Sequence, residues 1–225
     1  MCATIADKRT IVLTSCSVRV DQPLIPERMP QDRGAAQADR QTWIMVQNRP
    51  FARKLAAFVS LSTTDLAAVA ELYRRCGKFA VGHDMFSQGA ANQAAYILAD
   101  GWASSYKILA NGSRQIVNIR IPGDFLGLRS ALFRTAGHAV EPITPVEASK
   151  IPSNFLQETF AKAPRLATAV LWASSRGEAM VVEHLVGIGR RNASEGVGHF
   201  MLELSARLRL VGLGDTTGFD CPLSQ

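Results

Sequence analysis

The feature that most constrains the fold is a series of turn segments between residues 76 and 151. Four such segments follow one another at intervals of roughly 10–12 residues, a spacing typical of all-β sandwiches and barrels: GHDMFSQGA, ADGWA, ANGSR and IPGDFLG. Between and after them lie short segments of strand length: AAYILA, ASSYKIL, RQIVNIRI and VEASKI. Asn111-Gly112 is a strong hairpin signal because both residue types tolerate positive φ angles. The sequence therefore predicts an antiparallel β-domain over this region.

One of these strand segments departs from simple alternation. Ile116, Ile119 and Ile121 alternate only in part with polar neighbours. A strand with one solvated face alternates cleanly, whereas a strand that is buried on both faces does not. The pattern therefore predicts a strand buried on both faces.

Helical patterns flank the predicted β-domain. Apolar residues recur at helical spacing in residues 48–75 and again from residue 153 onward. A proline at the first helical position is favourable because the N–H that it lacks has no partner there. A short helix is predicted to begin at Ser153, and the next helix at Pro164. Two further helix starts are indicated by the capping-box pairs Ser62–Asp65 and Asn192–Glu195.

The longest helical pattern runs from Pro164 to about Ile188 and has two apolar faces. One face carries Leu171, Val181, Leu185 and Ile188. The other carries Val170, Ala173, Gly177, Met180, His184 and Gly187 at heptad-like spacing. Because a helix with two apolar faces is buried on both, one face covers the β-domain and the other needs a second partner. The small residues of the second face predict that it pairs with a two-fold copy of itself, and an intrachain core helix is the alternative.

Residues 1–45 differ from the rest of the chain. The stretch VDQPLIPERMPQDRGAAQADRQ contains three prolines and many charges without periodicity, which predicts a disordered N-terminal arm. Met45 lies just before the first patterned segment, so a start there would make the arm an artefact of start-site choice. A regulatory tail is the alternative.

Composition narrows the functional classes. The 225 residues are 47% hydrophobic, which allows a sizeable core, and the net charge of +6 mildly favours a polyanionic partner. The cysteines and histidines lack metal-ligand spacing, so we predict no metal site and infer a reducing cytoplasm. No segment approaches the ~18 apolar residues of a membrane span. No nucleophile–base pair, G-x-S-x-G or Walker A sequence points to an enzyme, and we predict no catalytic residues.

The segment IPGDFLG and the residues after it raise a question about ligand binding. Gly123 and Gly127 bracket a short apolar step, and Gly137 precedes His138. Glycines at such spacing let backbone N–H groups approach an anion closely, which would make a phosphate cradle. The same spacing fits two tight turns of a β-rich domain.

The order of these features resembles that of the Crp/Fnr family of bacterial transcription regulators. The specific parts of the resemblance are YILADGWASSYKILANGSRQIVNIRIPGDFLG and GRRNASEGVGHFMLELSARL, and it extends over most of residues 48–225. It implies an α+β fold: an antiparallel β-roll of the cyclic nucleotide-binding-like jelly-roll type flanked by helices, a long dimerisation helix, and the start of a winged helix-turn-helix domain. The closing GFDCPLSQ looks like the segment just before the helix-turn-helix, so we expect the recognition helix to be missing.

The resemblance also implies a division of the chain. After the arm at 1–45, we expect a β-roll sensor domain at 46–162. A dimerisation helix at 163–190 then leads to a truncated start of the DNA-binding domain at 191–225.

In cyclic-AMP-binding members, the segment after the PGDF turn carries a Gly-Glu pair that holds the ribose, and then an Arg-Ser pair that holds the cyclic phosphate. Aligned without a gap, this chain keeps Gly127 but has Leu128 in place of Glu, with His138 and Ala139 in place of Arg and Ser. Leucine offers the ribose no hydrogen bond, and imidazole does not grip a phosphate as a guanidinium does. We therefore expect the pocket to keep its fold without binding a cyclic nucleotide, and we predict no cofactor.

The resemblance implies a transcriptional regulator that acts on DNA as a homodimer in the cytoplasm. RNA polymerase is a further candidate partner, and the small-molecule effector is unknown. Cys2 and Cys16 do not supply the cysteine cluster of the family's iron–sulfur sensors. The alternatives are a stand-alone ligand-sensing or dimerisation module that does not bind DNA, and a decayed remnant. Candidate contacts to DNA phosphates are Arg190, Arg191, Arg207 and Arg209.

Overall fold

A computed structural model of the chain describes residues 4–7, 10–12, 44–91, 94–215 and 217–223. The chain forms two units, residues 1–30 and residues 31–225. In the first unit, strands β1 (Thr4–Asp7) and β2 (Thr10–Val12) pair as an antiparallel hairpin. This hairpin lies within the predicted disordered arm, most of which lies outside the described residues, so disorder of the arm stays a prediction.

The second unit places a block of strands between helices, in the order that the sequence predicts. Residues 44–47 form a helical turn that leads into α1 (Pro50–Ala56) and α2 (Thr63–Leu72). The strands are β3 (Cys76–Phe79), β4 (Ala94–Asp100), β5 (Ala103–Ile108), β6 (Arg114–Arg120), β7 (Phe125–Leu126), β8 (Ala139–Pro142) and β9 (Val146–Pro152). A short helix, α3 (Leu128–Phe133), lies between β7 and β8. The chain continues through α4 (Ser153–Lys162), α5 (Pro164–Arg190) and α6 (Ala193–Val211).

Both predicted capping boxes form. At the start of α2, the Asp65 backbone N–H donates to Ser62 Oγ, and the Ser62 backbone N–H donates to the Asp65 carboxylate. At the start of α6, Asn192 and Glu195 make the same reciprocal pair. Pro164 occupies the first turn of α5, as predicted. These local signals therefore set the helix starts.

The predicted antiparallel β-domain is confirmed. One sheet has the strand order β3-β9-β4-β7, and a second has the order β6-β5-β8. Every pairing within them is antiparallel, and the β5–β6 pair is the hairpin predicted at Asn111-Gly112. In the turn, Gly112 has φ +81 but Asn111 does not have a positive φ, so the turn differs from the predicted pair of positive angles. Instead, Asn111 Oδ1 accepts a hydrogen bond from the Ser113 N–H.

The expectation that β6 is buried on both faces is wrong. Ile116 is 57% exposed and Val117 is 44% exposed, whereas Ile119 is buried. The reason is topological, because β6 is an edge strand that pairs on one side with β5. Only the second half of the strand is covered, and α6 packs there.

Buried apolar residues of the second unit form separate clusters. The first lies where α1, α2, α4 and α5 meet β4 and β9, and it includes Phe51, Leu55 and Leu166. The second fills the interior of the β-roll and includes Phe86, Leu98 and Val140. The third joins α6 to the roll through Trp102, Ile119, Ile121, Leu204, Leu208 and Val211. The last described segment, 217–223, contains no helix or strand.

The predicted division into sensor, dimerisation helix and DNA-binding start stays a prediction, since residues 31–225 cluster as a single unit. The helix boundary predicted near 190 agrees with the end of α5 at Arg190. No helix in the described ranges is both long enough and apolar enough to cross a membrane.

Candidate functional site

The two glycines of the IPGDFLG segment form turns. Gly123 has φ +89, and a Cβ there would lie 2.8 Å from the Pro50 carbonyl carbon. Its N–H donates to the Leu98 carbonyl at 2.8 Å. Gly127 has φ +66 and caps the start of α3. Because the Gly123 N–H is already bonded within the fold, the structure favours turns over a phosphate cradle at this position.

The three residues in place of the family's nucleotide grips lie around α3. Leu128 is the first residue of α3, and its partly buried side chain packs against the first core cluster. Ala139 begins β8, is fully buried and pairs with Tyr106. His138 precedes it, and its ring centroid lies 6.1 Å from that of Phe86. These side chains present neither a carboxylate nor a guanidinium.

The electrostatic surroundings of His138 keep its imidazole neutral. Burial, and after it the positive charges of Arg120, Arg129 and Lys107, together lower the pKa of His138 from 6.5 to about 4. The Arg129 guanidinium lies against Gly137, since a Cβ on that glycine would be 2.9 Å from Arg129 Nη2. A neutral imidazole offers no charge to an anion, so the cationic groups here are the arginines and the lysine.

Sequence reasoning did not find this group of basic side chains. Arg120 lies on β6, Lys107 on β5 and Arg129 on α3. Arg120 Nε donates to Ser105 Oγ at 2.8 Å across the β5–β6 pair. Residues on three separate elements share no spacing along the chain, so no local pattern could have grouped them.

A second ionic group surrounds Asp124, the aspartate of the PGDF turn. Lys54 Nζ contacts Asp124 Oδ1 at 2.5 Å, and Arg207 Nη2 contacts Asp124 Oδ2 at 2.8 Å. The Ile121 N–H donates to the same Oδ2 at 3.2 Å. Burial alone would raise the pKa of Asp124, but the charges of Lys54, Arg207 and Arg120 lower it well below its usual range. We call Lys54, Asp124 and Arg207 the Asp124 cluster.

Arg207 is therefore not exposed, as a contact to a DNA phosphate would require. Its side chain is 9% exposed, and Nη2 also donates to the Ile119 carbonyl at 2.8 Å. Arg191 is partly covered and pairs with Glu183, whereas Arg190 and Arg209 are exposed. The structure corrects the assignment of Arg207, because four hydrogen-bond acceptors of its own chain surround the guanidinium. Arg190 and Arg209 remain as exposed candidates.

The two apolar faces of α5 are placed the other way round from the prediction. Val170 is 3% exposed in the first core cluster, and Ala173 packs against that cluster. His184 Nε2 lies 2.6 Å from Glu203 Oε2 on α6. The guanidinium of Arg191 covers Gly187. These intrachain contacts favour the alternative of a core-facing helix face over the predicted dimer face. The remaining members, Gly177 and Met180, are half-buried.

The opposite face of α5 is exposed. Leu171 is 66% exposed, Leu185 is 64% exposed and Ile188 is 84% exposed. The other apolar members of this exposed face are Trp172, Val181, Val182 and Val186. Leu171, Val181, Leu185 and Ile188 form the face that the sequence assigned to the β-domain.

Comparison with known proteins agrees with this architecture. A family model described as the cyclic nucleotide-binding domain matches residues 77–163. The nitrogen fixation regulation protein FixK of Bradyrhizobium diazoefficiens is 32% identical over 167 residues, which are 73% of this chain and 68% of FixK. The transcriptional activator protein Anr of Pseudomonas protegens is 23% identical over 154 residues, which are 68% of this chain but only 63% of Anr.

A solved structure extends the likeness to the fold. The structure of FixK2 from Bradyrhizobium japonicum has 27% sequence identity and a TM-score of 0.56, and covers 66% of this chain and 72% of that one. The antiparallel sheets flanked by helices, followed by long C-terminal helices, are therefore a shared architecture. With the relatives' transcription-regulator names and the match to the cyclic nucleotide-binding domain, these findings show that the chain belongs to the Crp/Fnr family of transcription regulators.

Proposed function

We propose that this chain is a DNA-binding transcriptional regulator that works as a homodimer, with the β-roll as its sensor. The observation that carries the proposal is the exposed apolar face of α5, the helix that joins the roll to α6. Relatives named as a nitrogen fixation regulation protein and as a transcriptional activator support it. A sensor domain that biases a dimer transmits its state along the helix that both parts share.

The exposed face of α5 is the dimer contact in this proposal. Leu171, Val181, Leu185 and Ile188 form an exposed apolar stripe that runs from Leu171 to Ile188 of the 27-residue helix. Monomers rarely leave a contiguous apolar stripe of this kind in water. Pairing with a two-fold copy of α5 would cover the stripe on both chains at once, since an isologous interface uses the same surface twice.

The double variant Val181→Glu, Leu185→Glu tests the dimer. Opposed carboxylates buried at a two-fold axis have no compensating partner, so the dimer should dissociate. The matched control is Ile108→Glu, Leu109→Glu, which places the same two charges on exposed residues at the β5–β6 turn. Sedimentation at tens of micromolar should show a dimer for the unmodified chain and for the control, and a monomer for the double variant. A monomeric unmodified chain would contradict the proposal.

We further propose that the sensor does not bind a cyclic nucleotide. Leu128 packs toward the core, Ala139 is buried in a strand, and the imidazole of His138 is neutral at pH 7. These residues do not fit the ribose and cyclic phosphate, because ribose hydroxyls would be buried without hydrogen-bond partners. Calorimetry with cyclic AMP and with cyclic GMP should show no binding, and a dissociation constant at or below ~10 μM would contradict this part of the proposal.

DNA binding by the 225-residue chain is expected to be electrostatic. Arg190 and Arg209 are exposed, so a dimer presents four such cations, and raising the salt fourfold should weaken binding by about 10²-fold. Fluorescence anisotropy with a labelled duplex at 50 and 200 mM salt measures this change. The described residues after α6 contain no helix that could enter the major groove, so this 225-residue chain should show little preference among duplex sequences.

The double variant Arg190→Gln, Arg209→Gln should flatten the salt dependence and leave the dimer intact. A sequence-specific footprint by this chain would contradict the expectation of electrostatic binding. An intact dimer with no affinity for DNA at low salt would instead favour a ligand-sensing or dimerisation module.

A further inference from the structure

The Asp124 cluster joins two parts of the chain that are distant in sequence. Asp124 and Arg207 are separated by 83 residues, yet Arg207 Nη2 lies 2.8 Å from Asp124 Oδ2. Asp124 belongs to the turn that leads through β7 into α3, whereas Arg207 lies in the last turns of α6. The cluster therefore links the segment that shapes the sensor pocket to the helix that follows α5.

The remaining contacts of α6 with the roll are mostly apolar. Leu204, Leu208 and Val211 pack against Trp102, Ile119 and Ile121 in the third core cluster. Apolar contacts tolerate small displacements of the helix because their energy depends little on the orientation of the groups. The charge-assisted contact of Arg207 does have a direction, and a buried cation that loses its counter-ion is strongly destabilised. The position of α6 thus depends most sharply on the ion pair.

Lys54 and Arg207 would respond differently if the negative charge of Asp124 were removed. The Lys54 side chain is 21% exposed, so its ammonium can turn toward solvent. The Arg207 side chain is 9% exposed and sits on the inner side of α6. It regains water only if the helix moves. Arg120 on β6 also lies near Asp124, but its Nε keeps the bond to Ser105 Oγ when Asp124 is neutralised. Of the two cations that contact Asp124 directly, Arg207 is therefore the more affected, and the effect falls on α6.

Replacing Arg207 while Asp124 remains should disturb α6 less than neutralising Asp124. If Arg207 is replaced by an apolar residue, Asp124 keeps Lys54 and the Ile121 N–H as partners. Glu203 keeps His184, whose Nε2 lies 2.6 Å from its carboxylate. No buried charge then lacks a partner, and the apolar face of α6 is unchanged.

We propose that the Asp124–Arg207 pair is a latch: Asp124 neutralises the buried charge of Arg207, which lets α6 stay on the β-roll, and the pair couples the position of α6 to the turn at 121–127. A displacement of that turn, such as a ligand in the roll could produce, would move Asp124 and release α6. The proposed release of α6 concerns this chain alone and does not depend on DNA. Only its consequence for DNA binding rests on the proposed function.

Hydrogen exchange of the full chain tests the latch with three variants. Asp124→Asn leaves Arg207 with only Glu203 of its own helix, at 3.5 Å, as a counter-ion, so nothing charged on the roll holds the guanidinium and the amides of α6 should exchange on the order of 10-fold faster. Arg207→Met should leave α6 protected. The double variant Asp124→Asn, Arg207→Met removes both charges and should recover the protection lost in Asp124→Asn alone. Glu71→Gln, which breaks the exposed Arg74–Glu71 pair, is the matched control and should change nothing.

Three outcomes would overturn the latch. Unchanged exchange of α6 in Asp124→Asn would show that the ion pair does not hold the helix. Equal loss of protection in α6 and in the strands would show that Asp124 serves the roll as a whole. Failure of the double variant to recover would show that Arg207 is not the relevant partner. The measurement contains no DNA, so these outcomes are independent of the proposed function.

Discussion

At the scale of single residues, two glycines share a backbone conformation for different reasons. Gly112 has φ +81 with no atom within 4 Å of an added Cβ, so only the turn requires glycine there. Gly123 has φ +89, and an added Cβ would lie 2.8 Å from the Pro50 carbonyl carbon. Gly123 therefore serves both the turn and the close approach of α1 to the roll.

Substitution by alanine should separate these two reasons. Gly112→Ala carries only the cost of a left-handed residue and should lower the free energy of unfolding by about 1 kcal/mol. Gly123→Ala adds a backbone clash with α1 and should lower it by about 3 kcal/mol. Urea unfolding of both variants measures the difference. Equal losses would show that α1 can move aside without cost.

His138 makes stability depend on pH. The pKa of His138 falls from the ordinary 6.5 to about 4 in the folded chain, chiefly because the ring is partly buried and further because Arg120, Arg129 and Lys107 repel a proton. Between these two values the unfolded chain binds more protons than the folded one. The stabilising contribution is therefore full above pH 6.5, is lost as the pH falls, and is gone near pH 4.

His138→Gln should remove this dependence. The loss of stability between pH 7 and pH 4.5, measured by urea unfolding, should be smaller in the variant than in the unmodified chain. An NMR titration of the imidazole should place its pKa near 4. Identical pH profiles for the two proteins would show that His138 is not held neutral by the fold.

At the scale of elements, α6 begins with a reciprocal cap, and its buried residues lie in its second half. The Asn192 side chain accepts from the Glu195 N–H at 3.0 Å, while the buried residues of the helix begin at Leu204. The first turns of α6 are therefore held mainly by the cap. The apolar side chain of Val197 in this part of the helix is 63% exposed.

Asn192→Ala should lower the free energy of unfolding by about 1 kcal/mol, because the orphan N–H groups of the first turn lose their acceptor. Exchange of the amides near Glu195 should accelerate, while those near Leu208 stay protected. Asn192→Asp keeps an acceptor at the same place and should retain the stability. An equal loss in both variants would show that the side-chain oxygen is not what caps the helix.

At the scale of the whole molecule, α1 is shared by the parts of the second unit. Phe51 stacks on Phe125 at 5.7 Å between ring centroids, and Lys54 contacts Asp124. Leu55 is fully buried in the first core cluster. Arg53 lies against Gly212 at the carboxyl end of α6, where a cation is favourable beside the helix dipole. Because α1 contacts the roll, the first core cluster and α6, we expect its loss to destabilise the whole second unit.

Two shortened chains test this view. The segment 1–45 lacks apolar periodicity, so a chain that begins at Met45 should melt within about 2 °C of the full chain. A chain that begins at Ala52 also loses the buried Val46 and Phe51, and should melt about 10 °C lower. Calorimetry measures both, and a large decrease for the first chain would show that the arm packs on the fold.

The sequence by itself determined what depends on near neighbours in the chain. The capping boxes at Ser62 and Asn192, the start of α5 at Pro164 and the turn at Gly112 each follow from residues within a few positions of one another. The spacing of turns likewise predicts the antiparallel roll. These features could be predicted because the hydrogen bonds of turns and helix ends join residues that are close in sequence.

Only the tertiary structure decided what depends on burial between distant segments. The sequence identifies two apolar faces on α5, but which of them meets the roll depends on how α1, α4 and α5 pack together. Arg207 looks like an exposed cation in sequence and is drawn inward by Asp124, 83 residues away. The low pKa of His138 likewise comes from burial and from charges on β5, β6 and α3. Desolvation and charge pairing depend on residues that are close in space but distant in sequence, so helical or strand periodicity does not predict them.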